Sequence, residues 1–183
     1  YEIKIAPLSF SEFYSVFNGS REDALIDYLT FGGLPMIVSM QSDEEKIKYL
    51  QSLFKNTYIS DILARYNIKN ETELDDLVNI VSSSIGGLLN PNKIVNTFKS
   101  IKKVSISANT ISNYLKILQE VFMIEKSLRY DIKGKKYIET PAKYYFADLG
   151  LRNARINFRQ QEVTHLMENL IYNELRIRGF LVD

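Results

Sequence analysis

The sequence predicts a mainly α-helical protein with a small β component, and three observations carry that prediction. Between residues 43 and 122, apolar side chains recur at three- and four-residue steps, the period of a helix that buries one face. After residue 122 this period gives way to short runs typical of strands. Asn18-Gly19, Gly32-Gly33, Gly86-Gly87 and Pro91 punctuate the chain, so the periodic segments are separate elements.

The elements follow in order. Residues 2–6 alternate like the end of a strand, which Pro7 breaks. Ser9 and Ser11 suit the cap of a short helix to Phe17, because a serine oxygen accepts from an otherwise orphaned amide. Ser20 begins a second helix with Ala24, Leu25, Tyr28 and Leu29 on one face, and Gly32-Gly33-Leu34-Pro35 ends it. Asp43 opens a long helix to Tyr66, burying Ile47, Leu50, Phe54, Tyr58 and Ile62. A helix over 72–85 buries Leu74, Leu77, Val78, Val81 and Ile85. Pro91 fits the first turn of the next, where its missing N–H costs nothing, with Ile94, Val95, Phe98 and Ile101 inward. Ser107 caps a further helix with the stripe Ile111, Leu115, Leu118 and Phe122. Residues 124–130, 136–138 and 143–147 read as strands, with Lys133-Gly134-Lys135 as a turn. Three helices and then a β-hairpin is the winged helix-turn-helix arrangement, predicted over 72–147. A last helix over 161–178 places Val163, Met167, Leu170 and Ile177 on one core face. Glu174 falls within that stripe and needs an Arg or a backbone donor, since an unpaired buried carboxylate is costly.

Composition narrows the function classes. A chain of 183 residues holds one core or two small ones, and 45% hydrophobic with 25% charged residues is ordinary globular material. No apolar run approaches the roughly 20 residues needed to span a bilayer, so no membrane partner is expected. The first residues lack the basic start and apolar run of a signal peptide. Zero Cys excludes a disulfide scaffold and thiolate metal sites, and fits a reducing, cytoplasmic setting. The single His165 builds neither a His-rich zinc site nor a catalytic triad.

Charge is unevenly spread. Residues 1–41 and 42–77 each carry a net −3, residues 91–143 carry +7, and 144–183 balance to zero, leaving +1 for the chain. A basic segment concentrates polyanions, or it docks on an acidic neighbour; charge alone leaves both open. With Ile111 inward, Asn109, Asn113, Lys116 and Glu120 lie on the opposite face of their helix, with Thr110 at its flank. Asn and Lys are suited to base edges and phosphates, and Lys133, Lys135 and Lys136 at the tip of the wing suit a neighbouring phosphate. Glu120 opposes phosphate, and no Arg is placed to read a base.

Several short motifs resemble one prokaryotic family of AAA-like P-loop ATPases that carry a C-terminal winged-helix and nuclease-like region. They are Pro7-Leu8-Ser9-Phe10-x-Glu12-Phe13, Gly32-Gly33-Leu34-Pro35, and Pro141 to Leu151 followed by His165 to Gly179. The resemblance implies four parts: 1–41 as the lid-like end of the ATPase domain, 42–71 as a linking helix, 72–147 as the winged helix, and 148–183 as the truncated start of a nuclease-like α/β domain. It implies ATP and Mg²⁺ bound upstream, and partners in the missing ATPase domain and the C-terminal remainder. No G-x-x-x-x-G-K-[ST] occurs in the 183 residues, so no cofactor and no catalytic residue are expected within this stretch. Glu168 resembles the helix glutamate that helps hold a metal in PD-(D/E)XK nucleases; alone it makes an incomplete site, and a surface or structural role is the competing reading. Asp148 recurs in the same family setting, and its simplest role is to cap a turn or the next helix. The expected function is thus a linker and regulatory region without its own catalysis. Non-specific duplex DNA binding, or a part in a DNA-processing nuclease, is the alternative.

Overall fold

The computed structural model describes residues 5–128, 141–159 and 162–182. Helix α1 (Phe10–Val16) starts at Ser9, whose hydroxyl and backbone N–H exchange bonds with Glu12 in a capping box. Ser20 caps α2 (Arg21–Phe31) through the amide of Asp23. Pro35, expected only to end a helix, opens a further turn, α3 (Pro35–Val38), where its fixed φ is already helical.

The long helix expected from Asp43 is present but not uniform. It comprises α4 (Asp43–Leu53), a π-helical turn over Phe54–Ile59 and α5 (Ser60–Tyr66). Next come α6 (Glu71–Ser83), α7 (Pro91–Thr97), a second π-helical turn over Phe98–Lys102, and α8 (Ala108–Glu120), capped by Ser107. Strands β1 (Ile124–Leu128) and β2 (Ala142–Phe146) pair antiparallel, with Ile124 opposite Phe146 and Leu128 opposite Ala142. Leu89 adds an isolated bridge to Ala142. Helix α9 (Leu149–Arg155) was not foreseen, and α10 (Val163–Ile177) closes the described order. The expected turn at Lys133-Gly134-Lys135 and the strand over 136–138 lie outside the described residues, as does most of the strand end over 2–6.

Two apolar clusters hold these elements. The larger runs from Phe31 and Ile37 through Leu50, Ile62, Leu77 and Phe98 to Leu118, Phe146 and Leu151. It therefore draws continuously on segments before, within and after 72–147. The smaller joins Phe13, Tyr28 and Leu29 to Ile85, Leu149, Leu166 and Leu170. Here the first two helices of the chain pack on its last.

Four positions depart from the sequence expectation, each for a local reason. Ile101 is 71% exposed, because the π-helical turn changes the phase after Phe98. Phe122 is 62% exposed. Helix α8 stops at Glu120, and the amides of Phe122 and Met123 bond back to the carbonyls of Gln119 and Leu118, so Met123 and Ile124 enter the core instead. Val163 and Ile177 are exposed, and the buried face of α10 is set by Leu166, Asn169, Leu170 and Tyr172. Asn169 must face inward because its side chain both accepts from the Phe146 amide and donates to the Phe146 carbonyl, at 2.8 Å each. Glu174 meets its expectation: it accepts from the Phe10 amide at 2.7 Å and from Arg178 at 2.8 Å.

Candidate functional site

The most concentrated polar chemistry in the described residues lies around α9. Six of its seven residues are buried, Arg152 and Asn153 among them. Asp148 precedes the helix with extended backbone, so its carboxylate turns back to accept from the Leu151 amide at 3.0 Å. The other oxygen accepts from the Gly33 amide at 2.8 Å, a bond spanning 115 residues of sequence. Gly32 and Gly150 make this approach possible. Gly32 has φ +78°, and a Cβ there would strike the Asp148 carboxylate; one at Gly150 would strike the Phe31 carbonyl. Full burial pushes the Asp148 carboxyl up to about 6, against the opposing pull of the amides of Leu151, Gly33 and Gly150.

The rest of α9 works outward from this point. Asn153 donates to the carbonyls of Leu29 and Thr30, near the end of α2, where helix carbonyls have no partners of their own. Arg152 donates through Nε to the Ser82 carbonyl at 2.8 Å and through Nη1 to Asn153. Burial lowers its guanidinium to about 10. Arg155 forms a 2.6 Å ion pair with Asp75 on α6 and also reaches the Asp75 carbonyl. One short helix and its cap are thus hydrogen-bonded to the C-terminal end of α2, to the segment after it, and to two places along α6. Such a node holds geometry.

The expected DNA-facing residues stand elsewhere. Asn109, Asn113 and Lys116 are exposed on α8, as the phasing requires, and Thr110 is half-buried with its hydroxyl 2.8 Å from that of Ser107. Lys116 lies 3.5 Å from Glu120, and Glu120 also accepts from the Tyr66 hydroxyl at 3.1 Å, so α5 reaches the same face. Lys133, Lys135 and Lys136 lie outside the described residues.

Glu168 is placed on α10 beside β2. Its Oε1 accepts from Lys143 at 2.7 Å and from the Tyr145 hydroxyl at 2.6 Å. Burial would raise this carboxyl, but the two hydrogen bonds and the Lys143 charge outweigh it and hold it below the usual range. Tyr145 stacks on Tyr172, whose ring centroid is 4.1 Å away. A carboxylate so engaged has a structural partner set, and among the described residues no cluster of three or more His, Cys, Asp or Glu surrounds it or any other point. These residues do not fit a divalent metal. No helix among them is long and apolar enough to cross a membrane.

Sequence reasoning missed Arg152, Asn153, Arg155 and Asn169. The available signal was the Asp148-x-Gly150 opening of a helix followed by polar residues in an apolar setting. What Arg152, Asn153 and Arg155 bind outside their own helix lies 70 to 124 residues away in sequence, and what Asn169 binds lies 23 away; no local pattern shows either.

Residues 22–162 match the model of a family described as a domain of unknown function, DUF8612. The chain belongs to this family. An uncharacterised protein of Haemophilus influenzae is 37% identical over the whole chain, which covers 46% of that protein. An uncharacterised protein of Methanocaldococcus jannaschii is 27% identical over 97% of the chain, covering 42% of its own length. The chain therefore spans a little under half the length of these curated relatives. No solved structure matches it.

Proposed function

We propose that the chain is the connecting and regulatory region of a larger ATP-dependent P-loop protein, with a winged helix at its centre and no catalytic site of its own. The observation that carries this reading is the α9 node. A change in the position of α2 or of Gly32-Gly33 is felt directly at α9 through Asp148 and Asn153, and from there at α6 through Arg152 and Arg155. The winged-helix reading is supported by the order of α6, α7 and α8, then β1 and β2, with Leu89 paired to Ala142 as a third short strand position. ATP and Mg²⁺ belong to the upstream domain in this proposal, and short sequence motifs are its only support for that part.

The test is ATP hydrolysis by the full-length polypeptide with Mg²⁺, alongside its Asp148→Asn variant. The expected result is hydrolysis by the parent and a several-fold altered rate in the variant at a temperature where both are folded. A full-length protein that neither binds nor hydrolyses ATP would sink the proposal. The second reading, non-specific duplex DNA binding, is favoured by the outward Asn109, Asn113 and Lys116.

A further inference from the structure

Helix α8 ends in a Schellman turn, in which the amides of Phe122 and Met123 bond to the carbonyls of Gln119 and Leu118. The left-handed position of such a turn usually belongs to glycine. Here it is Phe122, at φ +56°. A bulky side chain there is strained, and strain that persists points to a use for the side chain. Core packing is not that use, since the ring is exposed. Among the described residues it stacks on no other aromatic ring.

Phe122 lines an open cleft of about 420 Å³, within the roughly 300–1,000 Å³ that sites for small organic ligands span. The lining is mixed. Ile124, Leu181 and Val182 are its other apolar residues, and the rest are polar or charged. Glu125 is answered within the cleft, accepting from Tyr172 and Arg176 at 3.1 Å each. Arg176 uses Nε for Glu125 and Nη1 for the Phe180 carbonyl, which leaves Nη2 as a donor. Gln119 donates Nε2 to the Leu115 carbonyl and keeps Oε1 as an acceptor. Lys126 is exposed and forms no ion pair among the described residues. Two cations thus face one carboxylate, and the cleft is net positive beside a bare aromatic face.

We propose that this cleft binds one unpaired nucleotide, its base stacked on Phe122 and its phosphate held by Lys126 and by Nη2 of Arg176. A wholly apolar ligand leaves the cations unanswered, and an inorganic anion leaves the ring unused. A base with its phosphate answers both. Every base has a π-face, so stacking on an aromatic side chain tolerates any sequence. The surroundings favour the same ligand, because residues 91–143, which include Phe122 and Lys126, carry +7 and concentrate polyanions. The base must be unpaired, since within a duplex its faces are covered by its neighbours. A free nucleotide and a nucleotide within a single strand share this chemistry. The site is separate from the outward Asn109, Asn113 and Lys116 of the duplex reading.

The test titrates the full-length polypeptide into a fluorescein-labelled thymidine oligomer at low salt, read by fluorescence anisotropy. Phe122→Gly relieves the left-handed strain and so favours folding, yet it should weaken binding about fivefold or more, the lower end of a lost base–aromatic stack. Phe122→Tyr keeps the ring and should bind as the parent does. Lys126→Gln should lower the slope of log affinity against log salt by about 0.7, one phosphate contact of a single strand. An oligomer carrying iodouracil, irradiated on the parent, should crosslink within the tryptic peptide 117–126. Thymidine monophosphate that suppresses this crosslink assigns the site to free nucleotides; suppression by unlabelled oligomer alone assigns it to a single strand. Crosslinks confined to other peptides, no binding of oligomer or monophosphate, or equal affinity of parent and Phe122→Gly would overturn the proposal. Duplex DNA bound equally by parent and Phe122→Gly, with no crosslink at 117–126, would overturn it too and leave the duplex reading standing.

Discussion

Helices α8 and α9 are built on opposite plans. In α8 the apolar residues Ile111, Leu115 and Leu118 face the core while the polar Asn109, Asn113 and Lys116 face solvent. In α9 the polar Arg152 and Asn153 are among the most buried residues, and they bind the backbone of distant segments. The first helix is held by burial, which is non-directional and tolerates adjustment. The second is held by directed bonds, which fix one arrangement and leave costly orphans if broken. A helix of the first kind presents a surface; one of the second kind sets the relative positions of its neighbours.

The comparison can be broken by mutation, starting with the largest effect. Leu115→Ala in α8 should destabilise the protein by about 2–5 kcal/mol, the usual cost of emptying a core leucine site. A loss below about half a kcal/mol in urea denaturation would mean that α8 is not packed as described. Asn153→Ala in α9 should cost about 1–3 kcal/mol although it removes little apolar surface, because the carbonyls of Leu29 and Thr30 lose a buried donor. If Asn153→Ala proves neutral in the same denaturation series, the directed bonds of α9 are not what holds α2 in place.

The pH dependence sharpens the contrast further. The Asp148 carboxyl sits at about 6 in the folded chain, above the usual unfolded value of about 3.9. Between these values the folded state binds more protons, so this group's contribution to stability is fully present below about pH 4 and is lost as pH rises through 6. Stability of the parent relative to Asp148→Asn should therefore grow by up to about 3 kcal/mol as pH falls from 7 to 4. Urea melts of both proteins across that range measure it, and parallel pH profiles would show that Asp148 does not titrate there.

The smallest effect concerns the outward face of α8. If α8 contacts duplex DNA, Lys116→Ala should reduce the slope of log affinity against log salt by about one unit, and leave sequence preference unchanged. Fluorescence anisotropy at several salt concentrations reads both. An unchanged slope, or no duplex binding at low salt, would leave the face of α8 as a protein surface.

The two plans also explain what could be read in advance. Ser9, Ser20, Ser107 and Pro91 mark their helix starts correctly because capping is local chemistry between residues three apart. Leu74, Leu77, Val81, Ile111 and Leu118 were legible because periodic burial repeats along one element. Phe122 misled because the stripe continues past the point where the backbone leaves the helix, and a left-handed residue is not visible in a pattern of apolar positions. Val163 and Ile177 misled because the face of α10 is chosen by Asn169, which answers to the end of β2 rather than to hydrophobicity.

By itself, then, the sequence determined the helical class, the caps, most of the apolar core and the outward placement of Asn109, Asn113 and Lys116. All of these depend on neighbours within a turn or two. Tertiary structure alone decided that Asp148 would join Gly33, that Asn153 would close α2, and that Glu168 would be held by Lys143 and Tyr145. Those bonds connect groups that are adjacent only after folding. A polar side chain in the sequence states what it can donate or accept, and the fold supplies the partner.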